Sequence, residues 1–180
     1  MAVPQILRKR TLAKSRLFTI EELDLKFANG EERTYERLPT QGPPAVIVVA
    51  VFDDRELMLI REYAAGFHEM QLTLPKGTAE PGESLEAAAN RELQEEIGFG
   101  ARKVQFLKQL TLSPGHMGFT INVMLAEDLD PQRLPGDEPI APELVRWPIA
   151  KMDELIAGEE FAEARAIAAL CLARLARRSD

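Results

Sequence analysis

Residues 77–99 read GTAEPGESLEAAANRELQEEIGF. Six glutamates fall between Glu80 and Glu96, and three of them crowd the hexapeptide RELQEE. At 100° per residue along a helix, Glu95 lies about 60° to one side of Glu92 and Glu96 about 40° to the other, so the three carboxylates share an arc of about 100°. Like charges at i,i+3 and i,i+4 each cost a bare helix roughly 0.2–0.5 kcal/mol, and a bound divalent cation would reverse the sign of those terms. Oxygen-only ligands favour a hard ion, Mg2+ first and Mn2+ second. Leu85, Ala89, Leu93 and Ile97 recur every four residues beside the acidic arc, which puts the acids at the edge of a core. Glutamate-rich helices are usually solvated faces, so the metal reading needs support from the rest of the stretch. Pro81-Gly82 supplies a turn and Ser84 an N-cap, giving loop, turn, helix and loop in that order.

Working back from Gly77, MQLTLPKG reads as a short strand. Before it, AVIVVAVF (residues 45–52) is apolar on both faces and bounded by Asp53-Asp54, the pattern of a buried central strand, and ELMLIREY returns as its partner. TQGPP (residues 40–44) reads as a linker. Ahead of it, FTIEELDLKF and ERTYERL flank Asn29-Gly30, both of which the reading puts at positive φ in a tight β-hairpin turn. The arm to about Arg16 is basic, with Pro4 near its start, and is expected to be extended or loosely held. Forward from Phe99, strands are expected near VQFLKQLTL, FTINVMLA and LVRWPI, with a polar, proline-rich loop over residues 127–142. A helix at MDELIA and a longer one from about Glu160 to Arg177 follow, the latter with an apolar stripe of Phe161, Ala164, Ala168, Cys171, Leu172 and Leu175. This order predicts an α+β or three-layer sandwich with a mixed sheet. An N-terminal extension (residues 1–44) would precede the main domain (residues 45–180).

The chain of 180 residues suits one domain of ordinary size with an added arm. A net charge of −7 argues against broad nucleic-acid binding as the main role. Cys171 is the single cysteine, so no intrachain disulfide can form, which fits a reducing cytoplasm. The first twenty residues lack the apolar core of a secretory signal, and no apolar run approaches a membrane span. A cytoplasmic protein without a membrane partner is therefore expected.

Gly77, five residues, Glu83, seven residues, then Arg91-Glu92-Leu93-Gln94-Glu95-Glu96-Ile97-Gly98-Phe99 match every fixed position of the Nudix box, G-x5-E-x7-R-E-U-x-E-E-x-G-U, where U is bulky and apolar. The chain thus resembles a Nudix hydrolase over nearly its full length. Its N-terminal hairpin is similar to that of the ADP-ribose pyrophosphatase branch. The resemblance implies an α/β/α sandwich and a homodimer that uses the hairpin at its interface.

It also implies that Glu92, Glu95 and Glu96 are metal ligands, assisted by Glu83 and by the Gly77 carbonyl. Glu95 and Glu96 are the candidate catalytic carboxylates. Arg91 would orient Glu83 or Glu95 through a bidentate ion pair, and Gly98 would cap the helix. Arg61, Glu62 and Tyr63 resemble the substrate-contacting end of a strand in the family. Pro114, sixteen residues after Gly98, reads either as a turn proline or as a substrate-loop feature of the branch. His116 beside it reads as a substrate contact or an exposed loop residue. In the late acidic loop, Glu138 and then Asp137 are candidates for the catalytic base, or simply solvated acids. Thr73 stands where the ADP-ribose-specific pattern often has glutamate, which favours a broader ADP-compound hydrolase.

The implied activity is Mg2+-dependent hydrolysis of ADP-ribose, NADH and short diadenosine polyphosphates, with Mn2+ as a substitute. The products would be AMP and the other phosphorylated half. Two other readings compete with it. A nucleotide-sensing domain without catalysis would be expected to lose box glutamates and gain a DNA-binding appendage, and neither feature is present. Removal of pyrophosphate from RNA 5′ ends is disfavoured by the acidic balance.

Overall fold

The computed structural model describes residues 2–136 and 138–178. By contacts it divides into two compact units, one holding residues up to Gly42 with Thr111–Thr120, the other beginning at Pro43 and holding the rest.

In the first unit, β1 (Gln5–Lys14), β2 (Thr19–Lys26) and β3 (Glu32–Arg37) form an antiparallel sheet in that order. The basic arm is therefore a ten-residue strand and not a loosely held segment. Its ladder explains this: Arg8 lies directly opposite Asp24 and Arg10 opposite Glu22, with ion pairs of 2.7 and 2.6 Å. Opposite charges at facing positions each add a few tenths of a kcal/mol to a pairing that the backbone already supports. The β2–β3 turn also differs from expectation, because only Gly30 has positive φ, at 86°. The Phe27 N–H donates to the Glu31 carbonyl, 2.8 Å, and the Gly30 N–H to the Phe27 carbonyl, 2.9 Å, closing a three-residue loop. Asn29 contributes through its side chain, which accepts from the Glu31 N–H at 3.1 Å.

The second unit contains β4 (Ala45–Phe52), β5 (Glu56–Ala64), β6 (Glu69–Thr73), β7 (Lys76–Thr78), α1 (Leu85–Glu96), β8 (Phe99–Thr111) and β9 (Thr120–Pro131) but for the end residues Thr111 and Thr120, β10 (Glu143–Pro148), α2 (Met152–Ala157) and α3 (Ala164–Ala176). The sheet runs β10-β5-β4-β9-β8, with β6 beside β5 and β7 beside β4. It is mixed, since β4 and β9 are parallel while β4 pairs antiparallel with β5 and β7. The expected central strand is β4, buried from Ala45 to Val51. It turns into β5 through Asp53 and Asp54, both at positive φ (49° and 56°), a conformation that aspartate tolerates better than most residues.

Strand alternation divides the core. Val46, Val48 and Ala50 pack with Ala88, Ala89 and Leu93 of α1 and with Ile97, which caps it. Ile47, Val49 and Val51 face the other way, and α3 packs on β4. The result is the expected α/β/α layering about a mixed sheet. One helix was misread: α3 begins at Ala164, not near Glu160, and its buried residues are Ala166, Ala169, Leu170 and Ala173. The expected stripe is displaced around the helix, leaving Cys171 only half-buried and Leu175 60% exposed. ARAIAALCLARLA is apolar on nearly every side, so periodicity could not select a face, and the small alanines are what allow close approach to the sheet.

Candidate active site

The turn and helix of the box take up the predicted local structure, while Gly77 and Phe99 at its two ends fall in β7 and β8 and not in loops. The Glu83 N–H donates to the Glu80 carbonyl, 3.0 Å, around Pro81-Gly82, and Gly82 has φ 83°. The Ser84 hydroxyl then accepts from the Ala87 N–H at 3.1 Å, as an N-cap does. At the far end, Gly98 has φ 76° and its N–H donates to the Leu93 carbonyl at 3.0 Å, closing the helix.

Glu92, Glu95 and Glu96 leave α1 on one side and line a cavity of about 610 Å³ with Lys76, Gly77, Arg133 and Glu138. Glu92 and Glu96 are only 8% and 9% exposed. Arg91 ties the acids together. Its Nε and Nη2 meet the two oxygens of Glu83 at 3.1 and 3.2 Å, Nη1 meets Glu92 and Glu95 at 2.9 Å each, and Nη2 also reaches the Thr78 carbonyl at 2.8 Å. The bidentate partner is thus Glu83, with Glu95 held by a single bond. Hydrogen bonding to Arg91 holds the Glu83 carboxyl below the ordinary carboxylate range, and the same contact raises Arg91 further above its already high value.

Two observations test whether these residues fit a divalent cation. A Cβ on Gly77 would fall 2.0 Å from Glu92 Oε1, so only glycine leaves room for that carboxylate where it sits. Glu96 accepts from the Lys76 N–H at 3.0 Å, yet burial pushes its carboxyl up to about 8, with Glu92 and Glu62 adding to the rise. A buried carboxyl so reluctant to ionise is one that a cation would satisfy. Among the described residues no three acidic, histidine or cysteine side chains already converge as a cage. Arg91 is a counter-charge to both Glu92 and Glu95 here. The donor set of carboxylates and a backbone carbonyl suits a hard ion, so the residues fit.

The raised Glu96 value predicts a pH dependence of stability. The folded value, about 8, exceeds the ordinary 4.5, so this contribution is complete below about 4.5 and is lost as pH climbs to about 8. Glu83, shifted down, titrates below that window. Metal-free protein in EDTA should therefore melt at a lower temperature at pH 9 than at pH 6, and saturating Mg2+ should flatten the trend. Identical melting curves with and without Mg2+ at every pH would take Glu96 out of the ion's reach.

A second cavity of about 310 Å³ is lined by Arg61, Glu62, Tyr63 and Met70 and shares Glu138, Ala141 and Pro142 with the first. The strand-end trio and the box acids are thus brought to one contiguous depression by the loop before β10. Tyr63 is 56% exposed, and its hydroxyl meets His68 Nδ1 at 2.8 Å. Arg61 pairs with Glu143, 3.6 Å, and with Glu160. Glu62 is held by the Lys76 ammonium. Asp137 lies outside the described residues. Pro114 and His116 belong to the other unit and line neither cavity. Thr73 is 2% exposed and also lines neither cavity. Its hydroxyl donates to Glu163, so any influence on substrate choice is indirect. Lys76 and Arg133 were missed: Lys76 had a signal, its place next to Gly77, whereas Arg133 had none.

Residues 42–170 match the model of the NUDIX domain, and residues 4–37 match that of the NudE-type Nudix hydrolase N-terminal domain. The chain belongs to the Nudix family and is a Nudix pyrophosphohydrolase, a class that uses divalent metal ions. Within it, the chain is 48% identical to ADP compounds hydrolase NudE of Escherichia coli over 171 residues, covering 95% of this chain and 91% of that one. It is 31% identical to an ADP-ribose pyrophosphatase of Bacillus subtilis over 68% of each chain. A crystal structure of an ADP compounds hydrolase superposes with a TM-score of 0.94 at 46% identity, covering 99% of this chain and 96% of that one.

Proposed function

We propose that this protein hydrolyses the diphosphate bond of ADP-X compounds, among them ADP-ribose, NADH and short diadenosine polyphosphates. AMP and the other phosphorylated half are the products, and Mg2+ is the ion used, with Mn2+ able to replace it. The observation that carries this reading is the junction of the two cavities. An arc of three glutamates lines one, the apolar and aromatic surface of Tyr63 and Met70 lines the other, and Glu138 lies on both. That layout suits a ligand with a charged diphosphate and a flat, partly apolar nucleoside. The similarity to hydrolases of ADP compounds supports the substrate class.

When bound, the ion would neutralise phosphate oxygens and acidify water for attack on phosphorus. Glu92, Glu95 and Glu96 would hold it, with Glu83 and the Gly77 carbonyl assisting. Arg91 keeps those carboxylates aimed by engaging Glu83, Glu92 and Glu95 at once. Glu138, on the shared wall, is the group we assign to take the proton of the attacking water. Arg61 and Tyr63 orient the nucleotide, and Glu62 acts through its pair with Lys76. The test is release of AMP from ADP-ribose by purified protein with Mg2+, compared with triphosphorylated RNA. Failure to turn over any ADP-X compound overturns the assignment.

We further assign the protein to the cytoplasm as a homodimer, joined through the N-terminal extension (residues 1–44). The support for dimerisation is β1, exposed along its whole length and carrying Ile6, Leu7 and Leu12 in the open at a sheet edge. Leu7→Glu should shift the protein from dimer to monomer in light scattering at micromolar concentration. An unchanged mass would remove β1 from the interface.

A further inference from the structure

The 610 Å³ cavity is lined by four glutamates and two cations, Lys76 and Arg133. Lys76 is already committed to Glu62. Arg133 stands in no ion pair among the described residues, although four glutamates line the cavity with it. Its place is nonetheless fixed. The Gln132 N–H donates to the Gly98 carbonyl at 3.0 Å and the Leu134 N–H to the Gln94 carbonyl at 3.1 Å, so both neighbours are fastened to the end of α1. A Cβ built on Gly98 would lie 2.9 Å from Arg133 Nε, 2.9 Å from Nη2 and 3.2 Å from Cζ. Both nitrogens lie nearer than Cζ, so the guanidinium turns its Nε–Nη2 edge toward Gly98, where the missing side chain leaves it room.

We infer that Arg133 is a binding residue for the substrate's diphosphate, clamping it from the helix end of the cavity. A guanidinium presents paired N–H donors in the geometry of two phosphate oxygens, which an ammonium cannot match. Its charge also offsets repulsion between an incoming diphosphate and Glu92, Glu95 and Glu96 before the ion is fully shared. The inference rests on the hydrolase reading above. The plain alternative is that Arg133 only complements the negative end of the α1 dipole, and that role predicts a loss of stability without a change in substrate affinity.

The two are separated by Arg133→Ala and Arg133→Lys, assayed with ADP-ribose and Mg2+ and by calorimetric binding of the α,β-methylene analogue of ADP-ribose. The expected result for Arg133→Ala is a KM raised about tenfold or more, analogue binding weakened to match and an unchanged melting temperature, with Arg133→Lys recovering part of the affinity. Wild-type KM and analogue affinity in Arg133→Ala would overturn the inference, as would a lowered melting temperature as its only effect. If wild-type protein turns over no ADP-X compound, the hydrolase reading fails, a result distinguishable from either of these.

Discussion

Glu96→Gln should lower turnover of ADP-ribose by about 10²–10³ while leaving the protein folded, the size of loss seen when one preorganised electrostatic group is removed from an active site. The variant keeps the shape of the side chain and an oxygen to accept from the Lys76 N–H, but it removes the charge that an ion would require. Folding should not suffer, because burial already favours the uncharged carboxyl, with a value pushed up to about 8. A neutral isostere answers that environment without the ionisation cost. The metal-free variant should therefore melt at or above the wild-type temperature at pH 9, and the gain in melting temperature with Mg2+ should shrink. Kinetics and scanning calorimetry on the same samples read both effects. Near-normal kcat would remove Glu96 from the reaction, and a collapsed melting transition would show a structural role instead.

What the chain disclosed before its structure was known follows from how far apart the interacting residues lie. The box was legible because its three central glutamates share one twelve-residue helix, where spacing translates directly into direction. β4 was legible for a different reason: eight apolar residues closed by Asp53-Asp54 are too few for a buried helix and suit a strand covered on both faces. Arg133 could not be found this way, since it reaches the site only when the chain after β9 returns to the end of α1. Nor could the fate of Thr73, whose partner Glu163 is 90 positions distant. The face of α3 escaped because alanine and leucine occupy most of its circumference, so packing against β4 chose among several equivalent stripes. The basic arm is extended, as one of its two readings had it, but its pairing was not legible, because charge alone suggests solvation whereas its arginines are placed opposite the acids of β2.

Arg91→Ala should be the most disruptive single substitution in the site, costing stability and activity together. The guanidinium is the shared counter-ion of Glu83, Glu92 and Glu95 and also donates to the Thr78 carbonyl just after Gly77. Its side chain is 19% exposed, as against 15%, 11% and 20% for those three glutamates, so water screens the arrangement poorly. Removing one partner of such a cluster leaves charges without compensation and typically costs about 3–5 kcal/mol. The partial exposure here and relaxation of Glu95 toward solvent put the expected loss at the lower end, about 3 kcal/mol, measured by urea unfolding in EDTA. Arg91→Lys should recover little, since one ammonium cannot bridge three carboxylates and a carbonyl at these distances. Saturating Mg2+ should return more stability to Arg91→Ala than it adds to wild type, because the ion would then replace the positive charge that Arg91 gives Glu92 and Glu95. Activity should fall by at least tenfold even with Mg2+, because the carboxylates would be neutralised but no longer aimed. A variant as stable as wild type in EDTA would mean that the acids tolerate one another without Arg91, and the case for a cation beside them would weaken with it.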